Sequence, residues 1–335
     1  MGRRYIRELG DSDGVDAVFL VTDKQVRTNR QGNSFLQVEL RDRSGAMTGR
    51  LWNVGENLAR QFDTGDFLHA KGKVQLYQGG LQMILTHLSP VKPDKLDIAD
   101  FLPQTEQDIS KLLERLKTIL FRQANHHLRA LTEAFLMDEA FVADFSRCPA
   151  GIRNHHAYVG GLLEHVVTLL DAAERILPLY PSLDKDLLLT GIFLHDVGKV
   201  RELAYQSSFA YTDEGQLIGH IVMGVEMLNE KLKDAEQLTE EPFPRELMLR
   251  LKHLILAHHG TYEFGSPKLP MTPEAIALHH LDNFDAKVHS FTRDIREDRN
   301  AQSAWTLFNP NLQRKLFKGL VEGTGGQVPE EEGGV

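Results

Sequence analysis

Cysteine is almost absent from the sequence, where Cys148 is the only one among 335 residues. A disulfide within one chain and a zinc site built on thiolates are therefore both excluded, which suits a protein of the reducing cytoplasm. No apolar run reaches the roughly 18 residues that a membrane span needs, so we expect no membrane partner. Residues 1–10 are charged and contain no apolar stretch, which predicts that a secretory signal is absent.

Charge and histidine are unevenly distributed along the chain, whose formal net charge is −9. Residues 1–93 hold 13 Lys and Arg against 10 Asp and Glu, whereas the remainder holds 25 against 37. Thirteen of the 15 histidines lie after residue 100. The acidic second part argues against unspecific polyanion binding, so the first part is the better place for a contact with a phosphate backbone. We therefore expect a binding part followed by a catalytic part.

Residues 15–93 have the pattern of a small β-barrel. β-rich segments at 15–22, 34–40, 47–52, 67–74 and 81–88 are separated by turn residues, and a short helix is predicted at 57–62. Five strands with a helix between the third and the fourth are typical of an OB-fold barrel. The sequence further predicts an N-terminal extension at 1–14, a linker at 94–107, an all-α domain at 108–320 and a disordered tail at 321–335.

Aromatic and basic side chains are interleaved along the predicted strands. OB-folds hold single-stranded nucleic acid by stacking bases on rings while cations follow the backbone. The alternative is that the rings fill the barrel core and the charges only solvate the surface. We favour nucleic-acid binding for the domain as a whole and expect the following contacts: Lys24, Arg27, Phe35, Arg50, Trp52, Lys71 and Tyr77.

Several predicted helices of the second domain carry His or Asp where an apolar residue would continue the core face. These positions are His165, His195-Asp196, His220, His258-His259, and Asp282 with Asp285. A lone buried histidine is more often a core residue, but five such stretches in one helical domain indicate a metal centre. Imidazoles and carboxylates without thiolates suit Mn²⁺, Fe, Co²⁺, Ni²⁺ or Zn²⁺. Two ions bridged by one carboxylate would suit hydrolysis at phosphorus.

These residues resemble a known superfamily. His165, His195-Asp196 and the distal Asp282 are similar to the H…HD…D signature of HD-domain phosphohydrolases. His220 and His258-His259 are similar to the subset that binds two metals. Together with the preceding OB-fold and the segments 155–165 and 281–287, the chain resembles the YhaM-type 3′-to-5′ exoribonucleases over roughly residues 15–320.

The resemblance implies a ligand set for two divalent ions, with manganese as the first candidate. The first ion would be held by His165, His195, Asp196 and Asp282, and Asp196 would bridge to a second ion held by His220, His258 and His259. Asp285 remains an alternative to Asp282. Lys199 would neutralise a phosphoryl oxygen beside the catalytic Asp196, or it would be a solvated helix-end lysine. His155 and His156 are candidate substrate contacts.

The resemblance implies metal-dependent hydrolysis of single-stranded RNA from its 3′ end to nucleoside monophosphates. Single-stranded DNA is a further candidate substrate, and a homo-oligomer is compatible with this interpretation. One alternative is a phosphodiesterase of small nucleotides, although the Gly-Tyr-Pro loop of cyclic-di-GMP enzymes is absent after His259. The other alternative is a non-catalytic nucleic-acid-binding protein. We interpret Cys148 as a small buried residue, and the remaining histidines of the second part, among them His126, His127, His279 and His289, as surface or packing residues.

Overall fold

In the computed structural model, the chain forms a β-barrel followed by a bundle of helices. The structure describes residues 3–28, 32, 34–52, 56–77, 80–97, 100–152, 156–205, 209–298, 303–309 and 312–319. The predicted tail at 321–335 and His155 lie outside these residues. Among the described helices, none has the length and apolar content to cross a membrane.

The barrel is closed and has the connectivity of an OB-fold. Its strands are β1 Gly14–Thr28, β2 Ser34–Asp42, β3 Gly45–Trp52, β4 Phe67–Tyr77 and β5 Gly80–Val91, with helix α1 Glu56–Ala59 between β3 and β4. The strand order is β1-β2-β3-β5-β4, and β4 pairs back onto β1. All pairs are antiparallel except β3 with β5. The predicted OB-fold is confirmed.

The barrel core follows from the two-residue period of its strands. In β2, Leu36, Val38 and Leu40 are buried while the residues between them are partly exposed. The core also receives Ile6 and Leu9, which precede β1. The predicted N-terminal extension therefore contributes two side chains to the barrel core.

The second part is helical, as predicted. Its helices are α2 Ile109–Leu120, α3 His126–Leu136, α4 Glu139–Arg147, α5 Gly161–Ile176, α6 Lys185–Leu194, α7 Lys199–Glu202, α8 Asp213–Ile218, α9 His220–Thr239, α10 Arg245–Ala257 and α11 Pro273–Glu297. The side chains of Asp108, Asn125 and Asp184 cap the N-termini of α2, α3 and α6. A ribbon of two short strands, β6 Leu203–Ala204 and β7 Ala210–Tyr211, was not predicted, because two-residue strands have no detectable period.

Helix α6 is the centre of the helical part. Every residue from Leu187 to Leu194 is buried, because α3, α5, α10 and α11 surround the helix. The helix ends at His195, so its apolar sequence carries the His195-Asp196 pair into the middle of the bundle.

The segment predicted as a linker packs between the two parts. Phe101 and Leu102 are buried against Leu20 and Phe67 of the barrel, and Val159 of the helical part packs on the same cluster. The rings of Phe67 and Phe101 meet edge to face, with 4.8 Å between centroids. The segment therefore contributes two buried side chains between the barrel and the helical part, and the predicted domain bounds stay a prediction.

Candidate active site

The site begins with His195 and Asp196 at the end of α6. Both side chains are buried, at 0% and 2% exposure. His195 Nδ1 lies 2.7 Å from the carbonyl oxygen of Ile192, so the network assigns the proton to Nδ1. The Nε2 lone pair of His195 is therefore left to face the interior, 3.3 Å from Asp196 Oδ2.

Helices α5 and α11 add His165 and Asp282 to this pair. His165 Nε2 lies 3.4 Å from His195 Nε2 and 3.3 Å from Asp282 Oδ1. Ligands bonded at about 2.0–2.2 Å around one ion are roughly 3.0–3.5 Å apart, so these separations match the edges of a coordination polyhedron. His165, His195 and Asp282 form one group whose donor atoms all lie within 4.8 Å of one another.

A second group lies on the other side of Asp196. His220 Nε2 and His258 Nε2 are 3.5 Å and 3.7 Å from Asp196 Oδ1. His220, His258 and His259 also have donor atoms within 4.8 Å of one another. The two oxygens of Asp196 therefore face two different clusters of imidazoles.

The unpaired polar atoms of the second group test whether a metal fits. Asp196 Oδ1, His220 Nε2 and His259 Nδ1 are buried and have no hydrogen-bond partner among the residues that the structure describes. Leaving a buried polar atom unpaired costs about 1–3 kcal/mol, so three in one place need an explanation. A divalent cation would bind all three, and the nitrogen and oxygen donors suit a first-row transition metal. The residues present therefore fit the ions that the sequence implied.

Neighbouring oxygens orient the imidazoles of the second group. His258 Nδ1 lies 2.7 Å from the carbonyl oxygen of Ile255, and His220 Nδ1 lies 2.9 Å from Glu202 Oε1. Each contact places the proton on Nδ1 and leaves Nε2 as a ligand atom. Glu202 also accepts from the backbone N–H of His220 at 2.9 Å. The sequence does not predict Glu202 as part of the site, because nothing in the sequence of α7 indicates that it reaches α9.

Asp282 and Asp285 have different positions around His165. Asp282 faces Nε2, whereas Asp285 Oδ2 lies 2.7 Å from Nδ1. The same Asp285 oxygen is 2.9 Å from His156 Nε2, and His156 Nδ1 is 2.7 Å from the hydroxyl of Tyr158. Asp282 is thus on the side of the donor cluster, and Asp285 is on the opposite side of the ring.

The site is strongly negative around His165. Burial alone lowers the pKa of His165, but the carboxylates of Asp282 and Asp285 outweigh burial and raise it to about 9. Burial opposes ionisation of Asp196, yet Lys199 and His195 hold the pKa of its carboxyl well below the ordinary range. Burial keeps the pKa of His258 well below its ordinary value, so this imidazole is neutral. Metal binding requires ionised carboxylates and neutral imidazoles. Asp196 and His258 have these forms, whereas His165 would release a proton on becoming a ligand.

Lys199 is buried beside Asp196. Its ammonium donates to Asp196 Oδ2 at 2.6 Å and to the carbonyl oxygen of Ala150 at 2.7 Å. The alternative of a solvated helix-end lysine is therefore wrong, because only 9% of the residue is exposed. The ammonium therefore contacts a carboxylate of the site, and its contact with a phosphoryl oxygen stays a prediction.

Comparison with known proteins decides the family. Residues 162–287 match the HD domain and residues 20–91 match an OB-fold nucleic acid binding domain. The 3′-5′ exoribonuclease YhaM of Bacillus velezensis and that of Bacillus subtilis are each 37% identical to this chain over 316 residues, covering 93% of this chain and 98% of theirs. This chain belongs to the YhaM family.

Among solved structures, the second OB-fold domain of replication protein A from Methanococcus maripaludis aligns with 28% of this chain and 98% of its own. Its identity is 24%, and its TM-score of 0.21 is too low to add to the fold assignment. The YhaM relatives therefore carry the family assignment, and the closed barrel carries the OB-fold.

Around this YhaM-family site, His156 is packed against another histidine, and its contact with substrate stays a prediction. Its side chain is buried, at 3% exposure, and its ring stacks on His289 with 4.0 Å between centroids. His289, which we interpreted as an ordinary residue, thus lies against the site. His279 was also missed, because its Nδ1 contact with the carbonyl oxygen of His258, at 2.8 Å, depends on how α11 packs on α10.

The barrel brings most of the predicted nucleic-acid contacts together. Phe35 and Trp52 are cross-strand partners whose ring centroids are 4.8 Å apart. Arg50 lies two residues before Trp52 on the same face, with its guanidinium carbon 5.5 Å from the centre of the Tyr77 ring. Arg27 faces Phe35 across β1 and β2. Trp52 and Tyr77 are exposed, so the alternative of core packing is wrong for these two rings.

Two predicted contacts are separate from this surface. The Lys24 ammonium donates to the carbonyl oxygens of Ala59 and Phe62 and to Asp63, at 3.1, 2.5 and 2.5 Å. Lys71 forms an ion pair with Asp16, at 2.8 Å, where β4 meets β1. Lys24 therefore connects β1 to the end of α1 and the segment that follows it, because its ammonium donates hydrogen bonds to three oxygens there.

Proposed function

We propose that this chain is a metal-dependent 3′-to-5′ exoribonuclease that hydrolyses single-stranded RNA to nucleoside monophosphates, with single-stranded DNA as a further substrate. The observation that carries the proposal is the pair of donor clusters that share Asp196, in a chain whose relatives are named 3′-5′ exoribonucleases. The proposed domains are the OB-fold at 15–93 and the HD domain at 108–320.

The ligand sets follow from the two clusters. His165, His195, Asp196 and Asp282 would hold one ion, and Asp196, His220, His258 and His259 would hold the other. Manganese is the first candidate, with iron, cobalt, nickel and zinc as alternatives. Such ions lower the pKa of water and stabilise negative charge on phosphoryl oxygens.

The chain's own residues hold the ligands in place. Asp285 accepts from His165 Nδ1 and Glu202 accepts from His220 Nδ1, so both imidazole rings are oriented with Nε2 facing inward. The ammonium of Lys199 balances the charge of Asp196 and fixes its carboxylate through Oδ2. We assign Lys199 a positioning role, because two of its three donors contact Asp196 and the carbonyl oxygen of Ala150.

We assign His156 to the residues that hold the ligands in place. Its Nε2 shares the Asp285 oxygen with His165 and its side chain is buried, so we assign it the role of holding Asp285. His155 lies outside the described residues and stays a prediction.

The barrel supplies the proposed surface for the RNA strand. Exposed rings stack with bases of any sequence, and cations beside them contact phosphates. We assign this role to Arg27, Phe35, Arg50, Trp52 and Tyr77. Lys24 is left out because three oxygens take its donors, and Lys71 because it pairs with Asp16 where β4 meets β1. Arg27 is kept because it faces Phe35, although its guanidinium also donates to Gln25 Oε1.

The proposal is tested with single-stranded RNA labelled at its 5′ end and incubated with protein and Mn²⁺, beside the same RNA with a blocked 3′ end. We expect a ladder that shortens from the 3′ end and is absent with the blocked RNA or with EDTA. RNA retention without cleavage under several metals would contradict the proposal in favour of a binding protein. Neither cleavage nor retention would contradict it in favour of a small-nucleotide enzyme.

A further inference from the structure

Two adjacent histidines and a glutamate meet on the surface, outside the active-site clusters described above. His126 and His127 are the first two residues of α3, and Glu241 lies in the turn between α9 and α10. His126 Nε2 is 3.0 Å and His127 Nε2 is 3.4 Å from the same oxygen, Glu241 Oε2. Successive residues of a helix point about 100° apart, so two neighbouring imidazoles do not converge on one atom by default.

His127 lacks the partners that a buried imidazole needs. Its side chain is only 12% exposed, and its Nδ1 is buried with no hydrogen-bond partner within the described part of the chain. The distance from His127 Nε2 to Glu241 Oε2, 3.4 Å, is longer than that of a usual hydrogen bond. Burial lowers the pKa of His127, and the hydrogen bond from His126 lowers the pKa of Glu241. At neutral pH the group therefore presents a neutral imidazole and a carboxylate, which are ligand forms.

The surrounding structure holds the three side chains in this arrangement. The Phe243 ring meets the edge of His127, with 5.7 Å between centroids. Glu240 has a positive φ of 56°, which ends α9 abruptly and turns Glu241 back toward α3. Helix α3 packs against α9. The start of α3 and the turn after α9 therefore together bring the three side chains to one point.

We propose that His126, His127 and Glu241 form a further divalent transition-metal site, best suited to zinc. In a tetrahedral zinc site with bonds of about 2.0–2.1 Å, neighbouring ligand atoms are about 3.3 Å apart, close to the separations of 3.0 and 3.4 Å seen here. Two imidazoles and one carboxylate favour zinc over magnesium or calcium, which take oxygen ligands. The site leaves room for solvent ligands, because His126 and Glu241 are about half exposed.

The proposed site would join the start of α3 to the turn between α9 and α10. Helix α9 begins at His220 and α10 is followed by His258, and both of these belong to the active site. An ion at Glu241 would hold the opposite ends of the same two helices. Its role is thus structural, because it stabilises the frame without contacting substrate.

The test counts zinc per chain after dialysis of the full-length protein against a buffer of fixed free Zn²⁺. We expect His127→Ala and Glu241→Gln each to hold one zinc fewer than the unmodified protein, and His87→Gln, which changes an exposed histidine of the barrel, to hold the same number. Zinc should also raise the melting temperature less in the two site variants than in the control. Melting curves in EDTA show whether each variant is folded.

Equal zinc content in the unmodified protein, His127→Ala and Glu241→Gln would overturn the proposal. Because the count is a difference between variants, it does not depend on how many ions the active site holds. Hydrolysis of RNA should be unchanged in Glu241→Gln, so a failure of the proposed exoribonuclease activity remains a separate result.

Discussion

Asp196 divides its two carboxylate oxygens between different partners. Oδ2 accepts a hydrogen bond from Lys199 and lies 3.3 Å from His195 Nε2, whereas Oδ1 faces His220 and His258. A buried carboxylate is expensive unless it is paired, and Lys199 is the one cation that the described residues place in contact with it through a hydrogen bond. This pair therefore links the stability of the helical part to the chemistry of the site.

Replacing Lys199 with Met should destabilise the protein most strongly when metal is removed. Loss of one partner of a buried ion pair costs about 3–5 kcal/mol, and bound cations would compensate part of that loss. The measurement is the free energy of unfolding in urea, with EDTA and with Mn²⁺. Arg201→Met, which breaks the more exposed pair with Glu230, is the control and should cost about 1 kcal/mol or less. Equal losses in the two variants would contradict the role given to Lys199.

Replacing Asp285 with Asn should weaken metal binding without removing a ligand. The change weakens the acceptor that orients His165, and loss of such a partner typically costs about 10–100-fold in metal affinity or activity. We therefore expect the Mn²⁺ concentration for half-maximal RNA hydrolysis to rise by about that factor, with activity recovered at high Mn²⁺. Asp282→Asn should not be recovered in this way. An activation curve for Asp285→Asn that overlays the unmodified one would refute the assignment.

The sequence predicts those site residues whose apolar neighbours require them to be buried. His165 and His195 stand among apolar neighbours on core helices, so they had to be buried and needed partners. Asp282 and Asp285 are three residues apart on one helix, so both reach the same region and the sequence leaves the choice open. Glu202 was not predictable, because its contact with His220 arises from the approach of α7 to α9.

At the scale of elements, Gly198 allows the start of the short helix α7 to approach α9 closely. A β-carbon on Gly198 would lie 2.0 Å from the carbonyl oxygen of His220 and 2.7 Å from the backbone nitrogen of Gly224. Real β-carbons do not come so close to backbone atoms, so only glycine permits this contact. The approach brings Asp196 and His220 to the same cluster, since each lies beside the contact.

Gly198→Ala should therefore lower both stability and activity. Forcing the two backbones apart is expected to cost about 1–3 kcal/mol and to separate Asp196 from His220. Melting temperature and RNA turnover measure the two effects. Gly224→Ala in the same contact is the matched control, because its β-carbon would meet only side chains and backbone at 3.4 Å or more. Similar behaviour of the two variants would count against the close approach as the cause.

The element boundaries show where the apolar periodicity of the sequence no longer predicts secondary structure. The sequence predicts that β1 ends at 22, but the strand continues to Thr28. Residues 22–25 are partly buried and 26–28 are exposed, so this half carries no apolar alternation. The linker was predicted from its prolines, yet Phe101 and Leu102 are buried. Two apolar residues are too few to define a period, so their packing depends on the tertiary structure.

At the scale of the whole molecule, the barrel and the helical part are expected to divide binding from hydrolysis. Phe35→Ala with Trp52→Ala should raise the KM for long RNA by roughly tenfold or more, since a stacked ring contributes about 1–3 kcal/mol per base. The kcat for a dinucleotide should not change, because it is too short to reach both parts. Tyr211→Ala, an exposed ring of the helical part, is the control. A fall in kcat with an unchanged KM would contradict the division.

The most direct test of the shared carboxylate is Asp196→Asn, assayed for bound manganese, RNA turnover and RNA affinity in one preparation. If Asp196 joins two ion sites, the variant should lose both bound manganese and shortening of RNA from the 3′ end, while its affinity for RNA remains close to that of the unmodified protein. Full turnover by Asp196→Asn would contradict the metal-dependent site proposed here.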